Sequence, residues 1–231
     1  QNEQDSRHYA IAAKIPMLEP SDSQEALDFT KRAYDLSEEF DTPVFVKMCT
    51  RVAHSQSIVE TGDRTEHEMK PYVKDAAKYV MVPANAKKRH PIVEERTERL
   101  VQFAETTDLN RVEKGTDDSV GFITSSTSYQ YIKEVYGDKA SILKLGLINP
   151  LPVKLIKDFA ASVRKVVVVE ELDPIIETHC RALGINVTGK DVFPMTDEYS
   201  QSIIAENMEL PKAPSCKPIE GLPGRPPAMC A

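Results

Sequence analysis

Apolar positions along the chain follow two different rhythms. In the first part, Ala26, Phe29, Ala33, Leu36 and Phe40 recur at steps of three and four, which puts them on one face of a helix. The polar run Pro20-Ser21-Asp22-Ser23-Gln24-Glu25 starts that helix. Ser21 with Gln24, or Asp22 with Glu25, makes a capping box that satisfies free N–H groups of the first turn. Asp41-Thr42-Pro43 ends it, and residues 44–48 form a short, mostly apolar strand closed by Cys49. A helix feeding straight into such a strand is half of an α/β unit.

Residues 61–110 lack this order. Thr61 to Glu68 is polar and unpatterned and reads as a crossover between domains. The basic run Lys87-Lys88-Arg89-His90 reads as a solvated face ahead of a helix that begins at Pro91, where a missing N–H costs nothing. Val93, Leu100 and Ala104 mark the buried side of that helix.

From about residue 111 the second rhythm begins. Apolar strands at residues 120–124, 142–147 and 165–169 are each followed by a turn and an amphipathic helix, and residues 185–187 add one more short strand. Repeated strand–turn–helix units predict an α/β domain with a mostly parallel sheet flanked by helices. The expected division is residues 1–60, the end of one domain; 61–110, crossover and linker helix; 111–208, a second domain; and 209–231, a proline-rich linker toward a further domain.

Charge narrows the function. The chain carries 29 basic and 36 acidic residues, a net charge of −7, which argues against a nucleic-acid or anionic-membrane surface. Apolar runs of four or five residues are too short to span a membrane. The four cysteines Cys49, Cys180, Cys216 and Cys230 have no metal-ligand spacing, and Cys49 and Cys180 read as small buried residues. No secretory pattern is visible, so a reducing cytoplasm is the expected location. Neither a dinucleotide fingerprint nor a P-loop occurs.

Ligands of parallel sheets bind at the carboxyl ends of the strands. There the sequence offers Ser125-Ser126-Thr127-Ser128, which caps the next helix or holds an anion through Ser126, Thr127 and Ser128. It also offers Glu170 and Glu171, which point oppositely if still in the strand, so that one meets a basic partner across a domain interface. Arg51 and His54 follow the first unit's strand and face a site or serve as plain turn residues.

Longer phrases carry a family resemblance. Gln1-Asn2-Glu3-Gln4-Asp5-Ser6-Arg7-His8-Tyr9, Pro16-Met17-Leu18-Glu19-Pro20-Ser21-Asp22-Ser23-Gln24-Glu25-Ala26, Arg51-Val52-Ala53-His54-Ser55-Gln56, Lys78-Tyr79-Val80-Met81-Val82-Pro83-Ala84-Asn85-Ala86 and Arg225-Pro226-Pro227 resemble the alpha subunits of indolepyruvate:ferredoxin oxidoreductases. These belong to the thiamine-dependent 2-oxoacid:ferredoxin oxidoreductase family. The resemblance implies an internal fragment, inactive alone. Residues 1–60 would end a thiamine pyrimidine-binding domain, and residues 111–208 would be similar to the transketolase C-terminal domain. It implies oxidative decarboxylation of aryl 2-oxoacids to an aryl-acetyl-CoA, with electrons passing to ferredoxin.

The implied cofactors are thiamine pyrophosphate, Mg2+ and iron–sulfur clusters, held by the parent protein and not by this stretch. The implied partners are a second (beta) subunit, ferredoxin, coenzyme A and the 2-oxoacid. Residue by residue, Arg7 falls where related enzymes present an arginine to the substrate carboxylate, or else ties its own loop through Asp5. Arg51 and His54 match a strand-end turn that contacts substrate or a neighbouring domain. Cys230 matches the first cysteine of a downstream Cys-Pro-Gly-Cys-Pro-His motif and becomes a candidate metal ligand. The turn at Ser125–Ser128 lacks the glycine that relatives tend to carry. The alternative to an enzyme part is a non-catalytic α/β scaffold or interface module of a multidomain assembly.

Overall fold

The fold was analysed in a computed structural model that describes residues 4–64, 66, 69–211 and 221. In chain order the first part comprises α1 (Arg7–Ala13), β1 (Met17–Leu18), α2 (Ser23–Phe40), β2 (Phe45–Val46), α3 (Thr50–His54), α4 (Ala76–Tyr79) and α5 (Pro83–Ala104). The second part comprises β3 (Arg111–Glu113), β4 (Asp117–Ser125), α6 (Ser128–Tyr136), β5 (Ala140–Leu145), β6 (Leu147–Asn149), α7 (Lys154–Ala161), β7 (Val166–Val169), α8 (Ile175–Ala182), β8 (Val187–Thr188) and α9 (Gln201–Asn207).

The larger sheet has the order β3-β5-β4-β7-β8. Strands β5, β4, β7 and β8 run parallel, and β3 lies antiparallel on the edge beside β5. Side chains alternate across it with the period of two that a strand imposes. Ile123, Leu143, Leu145, Val166 and Val168 enter one core with Ile156, Phe159, Ile176 and Cys180 of α7 and α8. Phe122, Ile142, Val167 and Val169 enter the other, with Ile132 of α6 and Ile204 of α9. The sheet is therefore covered on both faces, which is why its strands read as continuous apolar runs.

The smaller sheet has the order β2-β1-β6. Helix α2 begins at Asp22, whose carboxylate accepts the Glu25 N–H at 2.8 Å. It buries Phe29, Ala33, Leu36 and Phe40 against Leu100 and Ala104 of α5 and Leu147 of β6. Each large side chain so buried contributes about 1.5–3 kcal/mol.

Several sequence expectations change here. The apolar run 142–147 is not one strand: it breaks at Gly146, and its two halves join different sheets. A Cβ on Gly146 would collide with the Leu109 carbonyl oxygen and lie 2.7 Å from the Phe29 ring, so only glycine lets the chain cross there. Asn110 fixes the crossing, its Oδ1 accepting from the Gly146 and Leu147 N–H groups.

The linker helix begins at Pro83, two turns before Pro91, which lies inside it. The first turns are exposed, so water can solvate the Lys87 carbonyl that Pro91 leaves without a donor. Lys87 to His90 are thus within the helix and not ahead of it. The strand expected over residues 44–48 is only two residues long. The residues after Cys49 form a short helix and not a turn. The main sheet is mixed because of β3, which pattern alone did not reveal. Most of the proline-rich linker, with Cys216 and Cys230, lies outside the described residues.

Candidate functional site

The carboxyl ends of β4 and β7 meet the first part of the chain in a buried charged joint. Arg7 is its centre. The guanidinium is 2% exposed, and each nitrogen has an acceptor. Nε donates to both Asp5 oxygens at 3.0 Å, and Nη1 donates to Glu170 Oε2 at 2.6 Å. Nη2 donates to Asp5 Oδ2 at 2.6 Å and to the carbonyls of Glu171 and Asp173 at 2.9 and 2.7 Å. A planar fork matched by two carboxylates and two carbonyls holds its loop against the sheet from several directions.

Strand β7 ends at Val169, so Glu170 and Glu171 lie beyond it. Glu170 is buried and also accepts the N–H groups of Ile176 and Glu177, at 3.0 and 2.9 Å, in the first turn of α8. It thus caps that helix while receiving Arg7. Burial pushes its carboxyl above the ordinary value, with Arg7 and the two amides offsetting part of the shift. Glu171 turns elsewhere and accepts the Tyr199 N–H at 2.7 Å. Burial pushes it up as well. Lys190 donates to the Glu170 carbonyl at 2.7 Å and to the Tyr199 hydroxyl at 2.9 Å.

Glu19, at the end of β1, is the third buried carboxylate. It accepts the Ser125 hydroxyl at 2.6 Å and pairs with Lys47 at 3.0 Å. Burial raises its pKa, but Lys47, Arg7 and Ser125 outweigh burial and hold it below the ordinary value. Ser126 has a left-handed backbone, φ 51°, and is half-buried, while Thr127 and Ser128 are buried at the start of α6. Glu19 on Ser125 and Asp22, which accepts Gln130 Nε2 at 3.0 Å, stand beside this turn.

Arg51 is on the rim. Its Nη2 donates to Glu198 at 2.8 Å, and its guanidinium lies 5.6 Å from the Tyr131 ring centroid. His54, at the end of α3, is exposed.

Sequence reasoning missed a second buried cluster. Lys144 in β5 is 0% exposed and pairs with Glu25, which also takes Arg111 at 2.7 Å and the Ser21 N–H and hydroxyl at 2.7 and 2.8 Å. Burial lowers the Lys144 pKa. A lysine inside the apolar run Ile142-Leu143-Lys144-Leu145 was the available signal, since a buried ammonium needs a carboxylate. Glu19 and Lys47 gave no comparable signal, because Lys47 and Ser125, the partners of Glu19, are distant from it in sequence.

No family model matches the chain. It is 37% identical, over its full length, to an indolepyruvate oxidoreductase subunit IorA from Archaeoglobus fulgidus and to one from Methanothermobacter thermautotrophicus, covering 40% of each. A third, from Thermococcus kodakarensis, is 34% identical over the same share. The chain thus spans about two-fifths of the length of the curated relatives it matches. Among solved structures, a 2-oxoglutarate:ferredoxin oxidoreductase from Magnetococcus marinus, with 2-oxoglutarate, coenzyme A and succinyl-CoA bound, superimposes with a TM-score of 0.57. That match has 16% identity and covers 84% of this chain and 41% of the other, a likeness of fold. Along its whole length, this chain is a relative of the IorA subunits of indolepyruvate oxidoreductase.

Proposed function

We propose that the chain is the joining part of the alpha subunit of a 2-oxoacid:ferredoxin oxidoreductase that takes aryl 2-oxoacids such as indolepyruvate. The observation that carries this reading is the similarity to IorA subunits over every part of the chain, at 32–37% identity. The parent reaction would be oxidative decarboxylation with coenzyme A, and a second subunit and ferredoxin would complete the system in the cytoplasm.

Thiamine pyrophosphate, Mg2+ and iron–sulfur clusters belong to this reading as cofactors of the parent. The charged joint does not suit a diphosphate. Its cations Arg7 and Lys47 already face Asp5, Glu19 and Glu170, Lys190 is held by the Glu170 carbonyl and the Tyr199 hydroxyl, and the remaining Glu171 is acidic. Among the described residues no three His, Cys, Asp or Glu side chains form a cation cage.

In this reading Arg7 positions α1 on the sheet and does not receive a substrate carboxylate, because its nitrogens are already engaged. Thr127 and Ser128 pack the start of α6 beside carboxylates. Arg51 and His54 remain the candidates for contact with substrate or a neighbouring domain, since both are exposed on the rim. The same saturation of Arg7 favours, as a second reading, a stretch that is purely a scaffold.

The test is co-production of the full-length alpha subunit containing this chain with its partner subunit, followed by indolepyruvate- and coenzyme A-dependent reduction of a viologen dye. Activity is expected from the pair and none from this chain alone. Dye reduction by the chain alone would refute the joining role. A cofactor-loaded pair inactive on all 2-oxoacids would leave the scaffold reading.

A further inference from the structure

A cavity of about 370 Å³ lies away from the charged joint, where the end of α2 meets α4 and α5. Its polar lining includes Glu38, Asp41, Thr42, Lys78, Arg89 and Arg96. Arg96 is 9% exposed, yet it makes no ion pair among the described residues. Its one hydrogen bond runs from Nη1 to the Asp41 carbonyl at 2.9 Å, and its Nε–H is buried without an acceptor. Thr42, on the same wall and 5% exposed, has a hydroxyl that is also buried without a partner. Guanidinium groups are almost never buried unpaired, because desolvating the charge costs several kcal/mol.

The surroundings do not supply the missing negative charge. The Asp41 carboxylate is taken by Lys78 at 2.6 Å and by Arg89 at 2.8 Å, and Glu38 is taken by Lys70. Arg96 is held below the ordinary arginine value by burial and by Arg89, with Asp41 offsetting part and Arg99 adding to it. Lys78, Arg89 and Arg96 thus share a single carboxylate, Asp41, which leaves an excess of positive charge beside a threonine hydroxyl and the Tyr79 ring.

We infer that this cavity is a binding site for a dianionic tetrahedral oxyanion of the phosphate class, either inorganic phosphate or the phosphate of a monoester. The anion would draw on Lys78 and Arg89 at the mouth and on Arg96 and Thr42 at the base. A phosphate has enough oxygens to meet donors from several directions at once, which suits donors carried by two helices and the loop after α2. The volume lies in the range of small-molecule sites and leaves room for more than the bare ion. This site does not depend on the proposed oxidoreductase activity.

The experiment is isothermal titration calorimetry of the full chain near neutral pH. Orthophosphate is the first probe and adenosine monophosphate the second, each against chloride at matched ionic strength. Saturable binding is expected, weakened by at least about tenfold in Arg96→Gln, the share of one charge-assisted hydrogen bond. Arg89→Gln and Lys78→Gln at the more exposed mouth repeat the test should Arg96→Gln fail to fold. Binding of orthophosphate alone identifies the free anion, and tighter binding of the monophosphate with the same residue dependence identifies an ester. Heats that do not saturate, or saturable binding unchanged in the Lys78→Gln and Arg89→Gln variants, would overturn the assignment.

Discussion

Replacing Arg7 by methionine removes the cation of the charged joint while keeping most of its volume. The guanidinium and its two carboxylate partners are each at most 2% exposed, so Asp5 and Glu170 would be left buried without their counter-charge. Asp5 would keep the N–H groups of residue 7 and Asp173, and Glu170 those of Ile176 and Glu177, so neither is stripped bare. Breaking one side of a buried pair costs about 3–5 kcal/mol. That is a large part of the roughly 5–15 kcal/mol by which a domain is stable. At about 2–4 °C per kcal/mol for a chain of this size, the midpoint should fall by roughly 6–20 °C.

Thermal and urea unfolding near neutral pH measure the loss. Arg7→Lys should fall between wild type and methionine, because the charge stays but the fork is lost. Adding Glu170→Gln to Arg7→Met should cost less than the two single changes summed, by about 1 kcal/mol or more. A loss below about 1 kcal/mol for Arg7→Met, or strict additivity with Glu170→Gln, would refute the joint as a coupled unit.

Other outcomes follow from the same structure. Asp5, Glu19 and Glu25 are held below their ordinary values of 3.8, 4.5 and 4.5, in each case by cations that outweigh burial. A depressed folded pKa gives stability that is fully present above the unfolded value and lost as pH falls through the folded one. Their contribution should therefore hold above about pH 5 and fade below about pH 4, and Glu25→Gln should shallow that acid limb in urea titrations. Gly146→Ala should destabilise more than Gly121→Ala, whose new methyl would meet the two Val163 methyls at 2.8 Å instead of backbone; paired denaturation curves decide. Burial pushes the Cys180 thiol up to about 12, so peptide mapping after native alkylation should find Cys180 unmodified while the unfolded chain labels fully.

Local signals were legible in the sequence and long-range ones were not. Asp22 at the head of α2 and the face from Phe29 to Phe40 were readable, because capping and helical period depend on neighbours a few residues apart. The continuous apolar run of β7 was readable for the same reason. The break at Gly146 was not, since it is forced by Leu109 and Phe29 approaching from other elements. Pro91 misled because proline marks a helix start more often than it sits inside one, and only the exposure of Lys87 makes the interior position tolerable. At the joint, Glu170 stood out as a carboxylate at a buried strand's end. Its partner Arg7 lies 163 residues away, a pairing that no local pattern encodes.

The placement of β6 beside β1 bears on how the protein is made. Strands β1 and β2 are synthesised close together, but the third strand of their sheet follows roughly a hundred residues later, about 5–20 s at 5–20 residues per second. Until then one edge of β1 stays open, a feature that invites pairing with other chains. A ribosome stalled before Gly146 would hold a nascent chain with that edge unfilled, and chaperone binding should drop sharply once residues 147–149 have cleared the exit tunnel.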